Sequence, residues 1–185
     1  TWATIGTGFP TSGVGRIALG AQVDNPMVVY AFITTAAGGV HSVRRLDGAA
    51  GAWQNITGVP DVLPGGQGTY DLCISVDPND ANRIYLGGDF FNASPFPGSI
   101  WHCKVQMTRT LSMVGTSIGQ NAHADVHCLM HVPGSSDQLF AGTDGGVFEH
   151  PNATGGGGFV ARNTGLATLC TNFLDVLVDL HQVDP

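Results

Sequence analysis

Three side chains alternate in the segment His123-Ala-Asp125-Val-His127. On a β-strand, residues two apart share one face and lie about 6.6 Å from each other. Two imidazoles and a carboxylate in that array have the donor set for Zn²⁺ or another divalent ion. His131 continues the same parity. A polar, hydrogen-bonded strand explains the same pattern without a metal. Asp89 and Asp144 are the second candidate set, with Asp144 in Thr143-Asp144-Gly145-Gly146. Glycoside hydrolysis needs an acid and a base separated by roughly 5–9.5 Å. An aspartate before Gly-Gly also serves simply to cap the backbone N–H groups of a turn. No GxSxG elbow, P-loop or strand–helix GxGxxG occurs, so a divalent metal is the only cofactor the motifs suggest, and no organic one is expected.

The elements that must position these residues are read from internal repetition. The segments beginning at Leu19, Cys73 and Cys128 share one layout, and their aromatic landmark recurs in two equal steps as Tyr30, Tyr85 and Phe140. Cys73 and Cys128 keep that interval, as do Asp89 and Asp144. A second motif recurs out of phase: Trp2-Ala-Thr-Ile-Gly-Thr-Gly-Phe-Pro10 matches Trp53-Gln-Asn-Ile-Thr-Gly-Val-Pro60, and Phe159-Val-Ala-Arg-Asn-Thr-Gly-Leu166 is a looser copy. Within each unit an apolar strand enters a turn such as Asp77-Pro78-Asn79-Asp80, where Pro presets φ and Asx side chains hold their own backbone. A β-branched and aromatic strand follows, then a Gly-Gly punctuated strand, then the Trp or Phe strand. Four short strands per roughly 50 residues is the signature of a propeller blade. No window shows apolar i, i+3, i+4 periodicity with caps, so no long helix is expected. The glycine- and proline-rich stretches 65–68, 94–98 and 155–158 are read as loops.

The expected fold is all-β, built of about three full four-stranded β-propeller blades with partial blades at both ends. Residues 1–11 read as the closing strand of a preceding blade, residues 12–62, 63–120 and 121–166 as whole blades, and residues 167–185 as the start of another. Closed propellers have about four to eight blades, so this arc is expected to be part of a larger ring or to pair with another copy through its raw edges.

Composition narrows the function. The 185 residues carry 7 cationic and 14 anionic side chains, a formal charge of −7, which excludes a basic nucleic-acid face. The longest apolar run, from Met27 to Ile33, is far too short to span a bilayer, and no basic-then-apolar leader opens the sequence. Cys73, Cys103, Cys128 and Cys170 are spaced too widely for any metal knuckle. Buried thiols in strands are expected, with one disulfide as the alternative. Sequons stand at Asn55, Asn92 and Asn152. Trp2, Trp53 and Trp101 suit packing between blades better than stacking on a sugar.

The stretches Val76-Asp77-Pro78, Ile84-Tyr85-Leu86-Gly87, His123 to His127, Gly142-Thr-Asp-Gly-Gly-Val-Phe148 and Ala161-Arg-Asn-Thr-Gly-Leu-Ala167 together resemble the Asp-box propellers, whose repeat is the bacterial neuraminidase repeat. That superfamily includes sialidases, xyloglucan hydrolases, sortilin-type receptors and secreted bacterial proteins. The box itself is degraded here, to Leu46-Asp47-Gly48 and Gly51-Ala52-Trp53. The resemblance implies an extracellular, cell-surface or periplasmic repeat module that binds or scaffolds a polysaccharide or protein. The context of Asp144 is similar to that of catalytic aspartates in xyloglucan hydrolases. This keeps open a second reading, part of a glycoside hydrolase using Asp144 and Asp89. A third is a self-assembling structural subunit. A sialidase is disfavoured, because the six arginines are scattered and the one glutamate, Glu149, is read as lying on an outer strand.

Overall fold

A computed structural model describes residues 5–23, 27–48, 51–91 and 94–166. They form three four-stranded antiparallel sheets, and no helix occurs among them. The first sheet contains β1 (Val14–Ala21), β2 (Val28–Thr35), β3 (Val40–Asp47) and β4 (Gln54–Ile56) in that order. The second contains β5 (Cys73–Val76), β6 (Arg83–Phe90), β7 (Gly98–Met107) and β8 (Leu111–Ser117), and the third β9 (Val126–His131), β10 (Leu139–Thr143), β11 (Gly146–His150) and β12 (Val160–Ala161). Each is a meander whose neighbours in space are neighbours in sequence, the arrangement short turns enforce. The sheets fall within residues 12–62, 63–120 and 121–166, and they do not close into a ring. Residues 1–4 and 167–185, with Trp2 and Cys170, lie outside the described residues, as does Asn92.

The second strands are the most apolar because both their faces are covered. In β2, Tyr30, Ala31, Phe32 and Ile33 are all fully buried. Alternation sorts the side chains between two seams. Tyr30, Phe32 and Val43 of the first sheet meet Leu72, Ile74, Ile84, Leu86 and Cys103 of the second. Cys73, Tyr85 and Ile100, on the opposite face of the second sheet, meet Val126, Leu129, Leu139 and Phe148 of the third. Cys73, Cys103 and Cys128 are free thiols in strands. Trp53 is buried edge-on against Phe9, with its indole N–H donating to the Ile5 carbonyl at 3.1 Å.

Two contacts recur from one sheet to the next, the first of them with the period of the sequence. The Tyr30 hydroxyl donates to the Ala81 carbonyl at 2.7 Å, and the Tyr85 hydroxyl reaches the Ser136 carbonyl at 3.5 Å. The donors and the acceptors both step by the repeat interval, so each tyrosine ties its sheet to the turn of the next. Thr7 and Thr57 make the other repeated contact. Thr57 N–H donates to Leu111 O and Met113 N–H to Thr57 O, while Thr7 N–H donates to Gly51 O and Trp53 N–H to Thr7 O. Gly8 and Gly58 follow these threonines with φ of 78° and 75°, which glycine adopts without a Cβ clash. The strand that closes the second sheet, β8, carries no Trp or Phe, so the closing-strand signature misses it.

One row of β1 differs from its equivalents. Ile17 and Leu19 are 40% and 64% exposed, whereas Leu72 and Ile74, their counterparts in the next repeat, are 1% and 8% exposed against the first sheet.

The two tyrosine ties differ in consequence. The Tyr30 hydroxyl also accepts from Arg45, whose guanidinium is 2.6 Å away and almost buried. Tyr30→Phe removes a charge-assisted bond, with Arg45 Nη1 left on Asn82 Oδ1 and the Ala81 carbonyl, and is expected to cost about 1.5–3 kcal/mol, whereas Tyr85→Phe loses one long neutral bond and costs about 0.5–1.5 kcal/mol. Urea midpoints of the two variants measure the order, and equal midpoints would contradict it.

Candidate functional site

The polar groups that converge lie at the seam between the second and third sheets. The loop before β5 supplies Gln67, Tyr70 and Asp71, the lead into β9 supplies Asp125, β9 supplies His127, and the tight β10–β11 turn supplies Asp144. His127 is central. Its Nε2 lies 2.6 Å from Asp144 Oδ1, and its Nδ1 lies 3.4 Å from Asp71 Oδ1, outside hydrogen-bond alignment. The Tyr70 ring stands edge-to-face on the imidazole at 4.8 Å, and its hydroxyl donates to Asp144 Oδ1 at 3.3 Å. Gln67 Nε2 reaches Asp125 Oδ1 at 3.5 Å.

The carboxylates differ sharply in environment. Asp144 is 41% exposed, and Asp71 is fully buried with no donor on either oxygen. Burial first, and the Asp125 carboxylate beside it second, push the Asp71 carboxyl up to about 8. Asp144 presses on the half-exposed Tyr70 phenol and raises it.

The alternating His123, Asp125 and His127 do not share one strand face. Asp125 sits in the left-handed region at φ 61°, which ends the alternation, and β9 begins only at Val126. His123 is exposed, with Nδ1 on the adjacent Ala124 carbonyl. Among the described residues no three His, Cys, Asp or Glu side chains converge as metal ligands. His131 shares the face of His127 but lies at the far end of β9, against Ser75 and edge-on to Tyr85.

Asp89 and Asp144 also separate in role. Asp89 is buried, and its carboxylate accepts from the backbone of Gly65, Gln67 and Phe90. Its own carbonyl accepts from Asp125 N–H, and Asp144 N–H donates to Asp125 O. Asp89 is therefore the post on which the Gln67–Tyr70–Asp71 loop and Asp125 are hung, while Asp144 is in the cluster itself. Glu149 is in β11, buried, and paired with Arg162 at 2.6 Å.

Sequence reasoning missed Tyr70 and Asp71. The usable signal was parity: two residues before Cys73, which faces the third sheet, stands an aspartate where an apolar residue would be expected. The chain matches no family model and no curated protein.

Stability should register the buried carboxyl. Folded Asp71 keeps its proton up to about pH 8, while the unfolded chain releases it near 3.8. The folded state therefore holds the extra proton between those values, and stability falls as pH rises through that window. His131 acts in the opposite sense: burial lowers it from 6.5 to about 4, so its contribution is lost as pH falls through that interval. Of these two groups, only Asp71 changes above 6.5. The Tm of Asp71→Asn minus that of the wild type is expected to grow between pH 6.5 and 8, and a constant difference would refute the assignment.

Proposed function

We propose that the three sheets are blades of a propeller-type repeat module, exported from the cell, that binds a polysaccharide or protein partner through the seam around His127. The observation that carries this reading is that Asp71 and Asp144, from two successive sheets, flank the two nitrogens of one imidazole, with Asp125 beside Asp71 and with Asp144 and Tyr70 left facing solvent. Strongly shifted carboxyls cluster at functional sites, and this one sits beside an exposed carboxyl group. The meander topology and the tyrosine ties, repeated at the sequence period, support the propeller reading. The exposed Ile17 and Leu19 row is the place where a further blade, or another copy of the chain, would pack.

Calorimetric titration with soluble polysaccharides and their oligomers, xyloglucan first, tests the binding role. Asp144→Ala and Tyr70→Ala should each weaken binding about tenfold or more, as expected for loss of a charged hydrogen bond or a stacking face, with a cooperative melting transition retained. No binding of any polysaccharide, or binding indifferent to both substitutions, would overturn the assignment of the seam.

One observation favours a second reading, a glycoside hydrolase. Asp71 is held protonated at neutral pH on one side of His127 while Asp144 is exposed on the other, and two carboxyl groups in such unlike environments are acid–base candidates. Asp71 replaces Asp89 in this reading, because Asp89 is committed to backbone amides. Release of reducing ends from xyloglucan, abolished by Asp71→Asn and by Asp144→Asn, is the outcome it requires.

A further inference from the structure

The seam has a surplus of acceptors and a shortage of donors. Asp71, Asp125 and Asp144 bring six carboxyl oxygens. His127 and Tyr70 both donate to Asp144 Oδ1, the Gln67 amide only grazes Asp125 Oδ1 at 3.5 Å, and nothing donates to either oxygen of the fully buried Asp71. The proton that Asp71 keeps is shared with the Asp125 carboxylate, and among the described residues no donor is left for Oδ2 of Asp125 or of Asp144. Among the described residues, the only side chain in ion-pair range of Asp71 or Asp144 is His127, and no arginine or lysine pairs with Asp125. A buried acceptor without a donor is rare in a folded chain and costs about 1–3 kcal/mol. What such a site lacks is a group that is all donor and positively charged.

A bare metal ion would meet the charge but not the geometry, since no three ligating side chains converge among the described residues. A neutral sugar hydroxyl brings as many acceptors as donors. An ammonium group brings three donors, no acceptor and a full charge. The opening fits this too. Asp144 is 41% exposed, and the half-exposed ring of Tyr70 beside it offers a π-face to a cation. The chain's formal charge of −7 acts in the same direction at longer range.

We propose that the seam selects a primary ammonium group on the ligand, and that its ligand is a polysaccharide carrying free amino sugars, with the ammonium seated between Asp144 and Asp125 against Tyr70. Resting on the polysaccharide-binding reading above, it names the class of sugar. Asp71, beneath them, is a positioning residue set against His127 and Asp125.

The 185-residue chain is titrated with a glucosamine tetramer, with the same tetramer fully N-acetylated, and with a tetralysine peptide. The glucosamine tetramer is expected to bind at least about tenfold tighter than its acetylated form. That advantage should shrink as salt is raised, because part of it is charge attraction near the surface. Asp144→Asn, which keeps the side-chain shape, should remove most of the difference between the two tetramers. Should Asp144→Asn fail to fold, Tyr70→Leu gives the second reading, a smaller loss confined to the amino form. Equal affinity for both tetramers overturns the proposal. So does tetralysine binding as tightly as the amino sugar, which would make the seam a receptor for basic peptides. If neutral xyloglucan binds at the seam and the glucosamine tetramer does not, the amino-sugar assignment fails while the polysaccharide reading stands. If no saccharide binds, both fail.

Discussion

The architecture hangs on how one sheet is fastened to the next. A fully buried tyrosine in the second strand places its hydroxyl under the first turn of the following sheet, from Tyr30 to Ala81 and from Tyr85 to Ser136. A flat sheet-on-sheet contact made only of aliphatic side chains has no intrinsic register, because dispersion and area burial are non-directional. A hydrogen bond from a buried phenol has one partner and one length, so it fixes both the slide and the tilt of the stack. Burial raises the Tyr30 phenol to about 12, which keeps it a donor at any physiological pH. Phe140 fills the same place in the third sheet without a hydroxyl. The apolar seams then follow from parity, with alternate residues of each strand committed to one neighbour or the other.

That fixed register is also what assembles the site. Asp71 leaves the second sheet on the side facing the third, and His127 leaves the third on the side facing the second. They meet because β5 and β9 are held in step, so the cluster is a property of the seam and not of either sheet alone. Asp89 completes the construction from behind. Its carboxylate fixes Gly65 and Gln67, and its carbonyl fixes Asp125, so one buried residue sets the position of both walls.

Repetition made the strand count, the turn positions and the central aromatic strands legible in the sequence, because each is a local pattern copied three times. The site was only half legible. Asp144 stood out through its glycines, and His127 through its spacing from Asp125 and His123. The spacing argument assumed an unbroken strand, and the left-handed Asp125 breaks it. A single left-handed residue leaves no mark on periodicity when its type, aspartate, tolerates that conformation. Asp71 was hidden for a different reason: its chemistry comes from burial against another sheet, and burial of a polar residue has no signature in its own neighbourhood.

Asp89 and Asp144 show how one repeated residue acquires two fates. Both stand at the end of a second strand, at equivalent places in successive repeats. In the third sheet the β10–β11 connection is only Asp144 and Gly145, so Asp144 is expelled to the rim beside His127. In the second sheet β6 runs on to Phe90 through a register shift, and the chain returns only at Gly98. The longer strand keeps Asp89 inside, where the amides of the 65–67 loop satisfy it. Hairpin length, and not residue identity, thus decides which aspartate supports and which one faces the solvent. The supporting aspartate is satisfied by backbone donors. The one it helps to position, Asp71, receives none, so it keeps its proton and shares it with Asp125, a local conflict of the kind that strains self-consistent folding.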